Sequence, residues 1–312
     1  MKTDKNMKIQ EICVYIYSCL SLLCITGCTN EENNHYEVEK YCPLAIGSVT
    51  LDMDETHSRS VTELGKDAVI GIFATNASGV SAYRPRYNVQ YTSDGTSWSS
   101  SNPVVLGVEN AAISAYHPYK AGDMSTTVLS LASQEYSAEA DISYAKAQNR
   151  NSTSIASAAI DFTMLRAYSQ IEFTLNRADT YTGSFKITKI GIKNSGIVGT
   201  GTLDVEKGTY NNTINSDFSY NPANGTGIGG EKEKTLTSSV LMVPPVSAPT
   251  GKFTISLTID DITSTIDINA LALKAGTRYK VTIKVEGKHE LTVSQVTIED
   301  WVEVPNDTEY PI

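Results

Sequence analysis

Phe253-Thr254-Ile255-Ser256-Leu257-Thr258-Ile259 places an apolar side chain at every second position and a hydroxyl between each pair. A period of two is the repeat of a strand with one face on a core and the other in water. Asp260-Asp261 reads as a turn, after which Ile262, Ile266 and Ile268 continue the pattern. Tyr279, Val281, Ile283 and Val285 then alternate with Lys280, Thr282, Lys284 and Glu286, and Gly287-Lys288 turns the chain into Leu291 to Ile298. One-sided burial of this kind belongs to antiparallel sheet. The expected fold class is all-β.

The same reading extends toward the N-terminus. Ile171, Phe173 and Leu175 make a strand, and Phe185 to Ile192 make another. In the second, the apolar phase slips between Ile187 and Ile190, which predicts a bulge. Shorter strands are expected at Leu44 to Leu51, Val69 to Ala74, Tyr87 to Tyr91, Ala111 to Tyr116, Thr127 to Leu131 and Ile142 to Ala145. Ser93-Asp94-Gly95-Thr96 carries a hairpin signal. Asn149 to Ser157 reads as a polar loop, Phe162 to Ala167 as a helical turn, and Asn221 to Lys234 as a long glycine-rich loop. The organisation expected is two β-sandwiches in tandem, residues 44–163 and 164–312.

Composition narrows the function. The 312 residues carry 35 acids against 25 bases, a net charge of −10. Phosphate backbones need a basic face, so nucleic acid is excluded as a partner. Charged residues at 19% argue against a coiled coil, and 40% hydrophobic content argues against a disordered chain. No apolar run reaches the roughly 18 residues of a spanning helix.

The first residues read as an address. Lys2, Lys5 and Lys8 precede an apolar stretch from Ile12 to Ile25, the proportions of a signal peptide. Ile25-Thr26-Gly27-Cys28 resembles a bacterial lipobox, which makes residues 1–27 the signal peptide and Cys28 the lipidated first residue of the mature chain. Residues 28–43 form a tether, and the polar, acidic run Thr29 to Asn34 resembles the surface-export signal of Bacteroidetes lipoproteins. Of five cysteines, Cys13, Cys19 and Cys24 fall in the segment to be removed, leaving Cys28 and Cys42. No cysteine follows Pro43, so the folded body has neither a disulfide framework nor a thiolate zinc site.

Chemical motifs are sparse. Gly225 to Gly230 matches G-x-G-x-x-G, but Asn-Pro-Ala-Asn precedes it where a buried strand belongs, and Glu-Lys-Glu-Lys follows where an apolar helix belongs. His289-Glu290 begins like H-E-x-x-H, yet Val293 holds the place of the second histidine. His35, His57 and His117 are scattered, Asp52, Asp54 and Glu55 sit beside a strand end, and no G-x-S-x-G elbow occurs. No catalytic residue, cofactor or metal is expected, and the chain does not read as an enzyme.

Four segments in order carry a resemblance to the fimbrillin family of Bacteroidetes, the Mfa-like and FimA-like subunits of type V pili. They are Ile113 to Tyr119; Asp161 to Arg166 with Gln170 to Thr174; Ser239 to Pro244; and Leu273 to Tyr279 with Val281 to Val285, Val296 to Ile298 and Trp301. The resemblance implies two transthyretin-like β-sandwiches and a structural, adhesive role. The subunit is exported as a lipoprotein to the outer membrane and polymerised on the cell surface with other pilus subunits. In that scheme an arginine-specific protease cuts behind the first strand, and a strand from another subunit takes its place. Arg59, the first arginine in the chain, follows the strand Leu44 to Leu51 and is the processing site so implied. The tail after Trp301 alternates, with Val302, Val304, Tyr310 and Ile312 as the apolar positions of a candidate donor strand, although Pro305 and Pro311 remove ladder donors. A surface ligand on a host or another bacterium is a further expected partner. The alternative reading is a monomeric surface lipoprotein that binds glycans, with Trp98 in a serine-rich loop as a stacking platform.

Overall fold

A computed structural model describes residues 41–52, 61–77, 83–193, 199–213, 217–221, 229–230, 234–247, 252–269, 271–287 and 290–300. Its regular structure is strand apart from one helical turn. In chain order the first twelve strands are β1 (Cys42–Pro43), β2 (Ala45–Asp52), β3 (Val61–Glu63), β4 (Val69–Asn76), β5 (Arg86–Ser93), β6 (Trp98–Ser99), β7 (Val105–Leu106), β8 (Ala111–His117), β9 (Val128–Ala132), β10 (Gln134–Glu135), β11 (Ser143–Arg150) and β12 (Ala159–Arg166). The rest are β13 (Ser169–Arg177), β14 (Ile187–Lys193), β15 (Thr200–Asp204), β16 (Thr209–Thr213), β17 (Asp217–Tyr220), β18 (Thr235–Thr237), β19 (Leu241–Val243), β20 (Lys252–Ile259), β21 (Ile262–Asn269), β22 (Thr277–Val285) and β23 (Leu291–Asp300). One helical turn, α1 (Ile155–Ala158), leads into β12.

The N-terminal strands run in the order β3-β2-β12-β11-β8-β4-β5-β6. The path bends at β12, which pairs with β11 only at Ser143–Arg166 and Tyr144–Leu165. Beyond that point side chains of β11 bridge the gap: Gln148 donates to the Asp161 carbonyl at 3.1 Å and Arg150 to the Ala159 carbonyl at 2.6 Å. Val49, Ile160, Phe162 and Met164 from one side of the bend pack with Ile70, Ile72, Val89 and Ile113 from the other in one core cluster. At the bend, Arg166 and Asp141 form a buried ion pair.

A second core lies between the sheet β10-β19-β13-β22-β23 and the sheet β17-β14-β20-β21. Its side chains, Phe173, Leu175, Ile255, Leu257, Val281 and Ile283 among them, are the alternating residues of the sequence pattern. The anticipated bulge is present, as a register shift between Ile187 and Lys189 against β20. Asp260 and Asp261 both take positive φ, 48° and 65°, the geometry that lets two residues close a hairpin. The Asp260 carboxylate accepts from the Tyr181 and Ser184 hydroxyls and from the Phe185 and Lys186 amides. Burial pushes its pKa up, but these four donors outweigh burial and bring it down to about 2.

A third cluster joins the chain across its length. In the sheet β16-β15-β9, residues 200–204 pair with residues 128–132 on one side and with residues 209–213 on the other. Its Leu129, Leu131 and Leu203 pack on Phe73, Tyr116 and Tyr144. Phe73 and Tyr116 stack at 5.5 Å between ring centres.

Three expectations need correction. Phe162 to Ala167 is not a helical turn, because Ile160, Phe162 and Met164 bury alternately and make β12 a full strand. Asn149 to Ser157 is not all loop, since β11 runs to Arg150 and α1 begins at Ile155. Trp98 lies on β6, half-buried against the N-terminal core, and so is not a free stacking platform.

Candidate functional site

The strand expected at Leu44 to Leu51 is β2. It pairs in parallel with β12, from Ala45 opposite Ala159 to Leu51 opposite Met164. On its other side, among the described residues, the three residues of β3 pair with it, Thr50 to Asp52 opposite Glu63 to Val61. β2 therefore sits next to the outermost strand of its sheet, filling the place between β3 and the edge of β12. Phe162 and Met164, from the second of the four family-like segments, form the wall it covers.

Its side chains do not alternate evenly. Leu44, just ahead of β2, and Ile46 face the core, and then Val49 and Leu51 do, so the apolar phase slips by one residue. The register slips with it: Ile160 faces Ile46 and Phe162 faces Val49, so that three residues of β2 span two of β12. The extra residue is accommodated at Gly47-Ser48. The Ser48 amide donates to the Asp161 carboxylate at 2.6 Å and its hydroxyl donates at 3.0 Å. A side chain at position 47 would meet that carboxylate and displace it from Ser48, so glycine is what lets the two approach. The Ser48 amide and hydroxyl together hold the Asp161 pKa below the ordinary carboxylate range. Thr50 adds a bond from its hydroxyl to the Phe162 carbonyl at 3.3 Å, and the Leu64 amide donates to Val49 at 2.9 Å.

Leu44 is 4% exposed and Val49 is 0%, while Ile46 and Leu51 are half-buried. Two full and two half burials give roughly 4–9 kcal/mol of gross apolar stabilisation at 1.5–3 kcal/mol per side chain. That is substantial, and it is concentrated in one short strand.

At the other end, among the described residues, β23 pairs only with β22. Val296 and Ile298 lie opposite the buried Val281 and Tyr279, yet Ile298 is 64% exposed. Apolar side chains on a sheet edge in this state are the condition that invites pairing. Cys28, Arg59, Val302, Val304, Tyr310 and Ile312 lie outside the described residues. Cys42 is a free thiol on β1, half-buried opposite Leu106. Among the described residues no group of His, Cys, Asp and Glu is arranged to hold a metal ion.

Reading the residues alone missed the Gly47–Ser48–Asp161 contact. The signal was the phase slip between Ile46 and Val49, the same kind of slip that revealed the bulge at Ile187. The partner, Asp161, lies 113 residues away, and nothing local points to it.

The fold and this site define an all-β protein of several sheets whose first long strand is held near a sheet margin. A family model described as fimbrillin-like matches residues 57–301, and the chain belongs to that family. Among solved structures, a candidate cell adhesion protein from Bacteroides ovatus is similar at 17% identity and a TM-score of 0.58, covering 85% of this chain and 99% of its own. Another, from Bacteroides uniformis, is similar at 18% identity and a TM-score of 0.56, covering 83% and 98%. At those identities the likeness concerns the fold. No curated protein matches the chain.

Proposed function

We propose that this protein is a structural subunit of a cell-surface type V fimbria, exported to the outer membrane as a lipoprotein through Cys28. β2 is the strand that departs after cleavage at Arg59, and a strand from another subunit refills its place, leaving a polymer with a role in adhesion. The single observation that supports this most is the placing of β2: one full-length ladder on β12, one three-residue ladder on β3, and the apolar burial concentrated at Leu44 and Val49. Donation of a strand into such a place restores a hydrogen-bond ladder and buries alternate side chains, so that main chain gives affinity and side-chain spacing gives specificity. Residues 53–60, with Arg59 among them, connect β2 to β3. A cut there divides the filler from the body.

The register sets what a replacement must look like. In the manner of Leu44, Ile46, Val49 and Leu51, it needs apolar residues two, five and seven places after the first. A residue without a side chain belongs opposite Asp161. The tail of this chain offers Val302 and Val304 for the first two positions, then Pro305, Asp307 and Glu309 where the glycine and the remaining apolar residues belong. The tail is therefore better suited to a neighbour with a different register, which favours a polymer of unlike subunits.

Treatment of the purified precursor with an arginine-specific protease tests the reading. The expected result is loss of residues up to Arg59 together with detergent-resistant oligomers when a partner subunit is present. Arg59→Ala should block both. Filaments formed by Arg59→Ala as readily as by the parent would refute the processing site, and a cut chain that stays monomeric with every partner would refute assembly.

A further inference from the structure

We propose that a cavity bounded by Tyr41, Tyr83, Arg84, Arg86 and Glu109 binds an acidic saccharide, with a carboxylate on Arg84 and a sugar ring on Tyr41. The cavity has a volume of about 420 Å³, within the range of small-molecule sites. It is assembled from three stretches: the residue before β1, the entry to β5, and the turn after β7. The cavity borders the core on which β2 packs, since Tyr83 belongs to the same cluster as Ile46 and Val49.

Its lining is locally basic. The chain carries a net charge of −10, yet two guanidinium groups meet here against one carboxylate. Among the described residues neither arginine is in an ion pair. Arg86 spends one nitrogen on the Asn102 carbonyl at 3.3 Å, and Arg84 is exposed. An exposed guanidinium outside any ion pair keeps its fork open to a ligand, and a bidentate carboxylate is the ligand that best matches it. The Tyr83 hydroxyl donates to the Val105 carbonyl at 3.4 Å, which fixes that wall. Tyr41 is 68% exposed and Val108 51%, an aromatic face and an aliphatic rim that the fold itself leaves uncovered.

The mixture selects a sugar over other anions. The C–H face of a pyranose stacks on an exposed tyrosine ring, burying apolar area without a hydrogen-bonding cost. Its hydroxyls donate to the Glu109 carboxylate, an acceptor that a sugar satisfies. An acidic peptide meets the same carboxylate as repulsion. A neutral sugar leaves Arg84 without a counter-charge.

Titration of the full chain by calorimetry tests the proposal, with sialyllactose and trigalacturonate as carboxylated probes, lactose as the neutral one and hexaglutamate as an acidic peptide. Binding of either carboxylated sugar, with lactose weaker by roughly tenfold or more, supports it, and which of the two binds names the source. Arg84→Ala and Tyr41→Ala should each weaken that binding by roughly tenfold. Tyr136→Ala, an exposed tyrosine elsewhere, should leave it unchanged. Circular dichroism of each variant checks that the fold is retained. Binding of neither carboxylated sugar, equal binding of lactose, equal displacement by hexaglutamate, or indifference to Arg84→Ala would overturn it. Tyr41 lies ahead of Arg59, so a chain processed there would lose the stacking ring and bind the saccharide only before cleavage. That consequence alone rests on the fimbrial reading; the titration of the uncut chain does not.

Discussion

Among the described residues two strand pairs run parallel, β2 with β12 and β13 with β22, and they differ in how completely the rest of the molecule encloses them. β13 pairs with β22 over eight residues without a shift, from Gln170 opposite Arg278 to Arg177 opposite Val285. Its other side is covered along most of its length by β19 and β18. β2 pairs with β12 through a bulge, and among the described residues its other side pairs with no strand but the short β3. The first strand of each core thus has the same parallel partnering, but one is fixed on both flanks and the other on one. Removing β13 would dismantle a core. Removing β2 would uncover one.

That difference can be sharpened by substitution. The largest effect is expected at Phe173 on β13, which is fully buried: Phe173→Ala should cost about 3–5 kcal/mol and lower the cooperative melting transition of the C-terminal core. Val49→Ala on β2 deletes two methyl groups from an equally buried site. It should cost about 2 kcal/mol, read mainly as faster exchange and proteolysis of β2 with the main melting transition little changed. A global destabilisation from Val49→Ala as large as that from Phe173→Ala would break the comparison.

A smaller effect is expected from the contact that holds the bulge. Ser48→Ala removes the hydroxyl donor to Asp161 and keeps the amide. Its cost should be below about 1 kcal/mol, because the pair is exposed to water. Acid gives the smallest and most selective change. Asp161 has a native pKa below its unfolded value, so its contribution is fully present above about pH 4 and is lost as pH falls through the native pKa. Protease sensitivity of the Gly47-Ser48 segment should therefore rise on acidification below about pH 4, and Asp161→Asn should flatten that dependence. An unchanged pH profile in Asp161→Asn would remove Asp161 from the account.

Much of this was legible in the chain itself, and the parts that were not share a cause. β20, β21 and β22 were readable because one face of each meets a core and the other meets water, leaving a clean period of two. The bulge at Ile187 was readable because apolar residues mark the slip. β12 was misread because α1 and a polar loop precede it and because Asp161 and Thr163 interrupt its apolar positions, although Ile160, Phe162 and Met164 keep a strand's spacing. β15 and β16 left little trace, since threonine, glycine and asparagine dominate them and only Leu203 and Tyr210 reach the third cluster. β15 is held as a strand by β9 and β16 by β15, and no local pattern encodes the pairing with β9. The Asp161 contact and the cavity at Tyr41 were hidden for the same reason, being assembled from segments distant in sequence.

Amide hydrogen exchange of the uncut chain, read separately for β2 and β13, addresses the central claim most directly. The account requires β2 to exchange through a local opening of lower free energy than global unfolding, while β13 exchanges only when its whole core unfolds. Protection of β2 equal to that of β13, lost together under denaturant, would mean that the first strand is inseparable from the body and that no other chain can take its place.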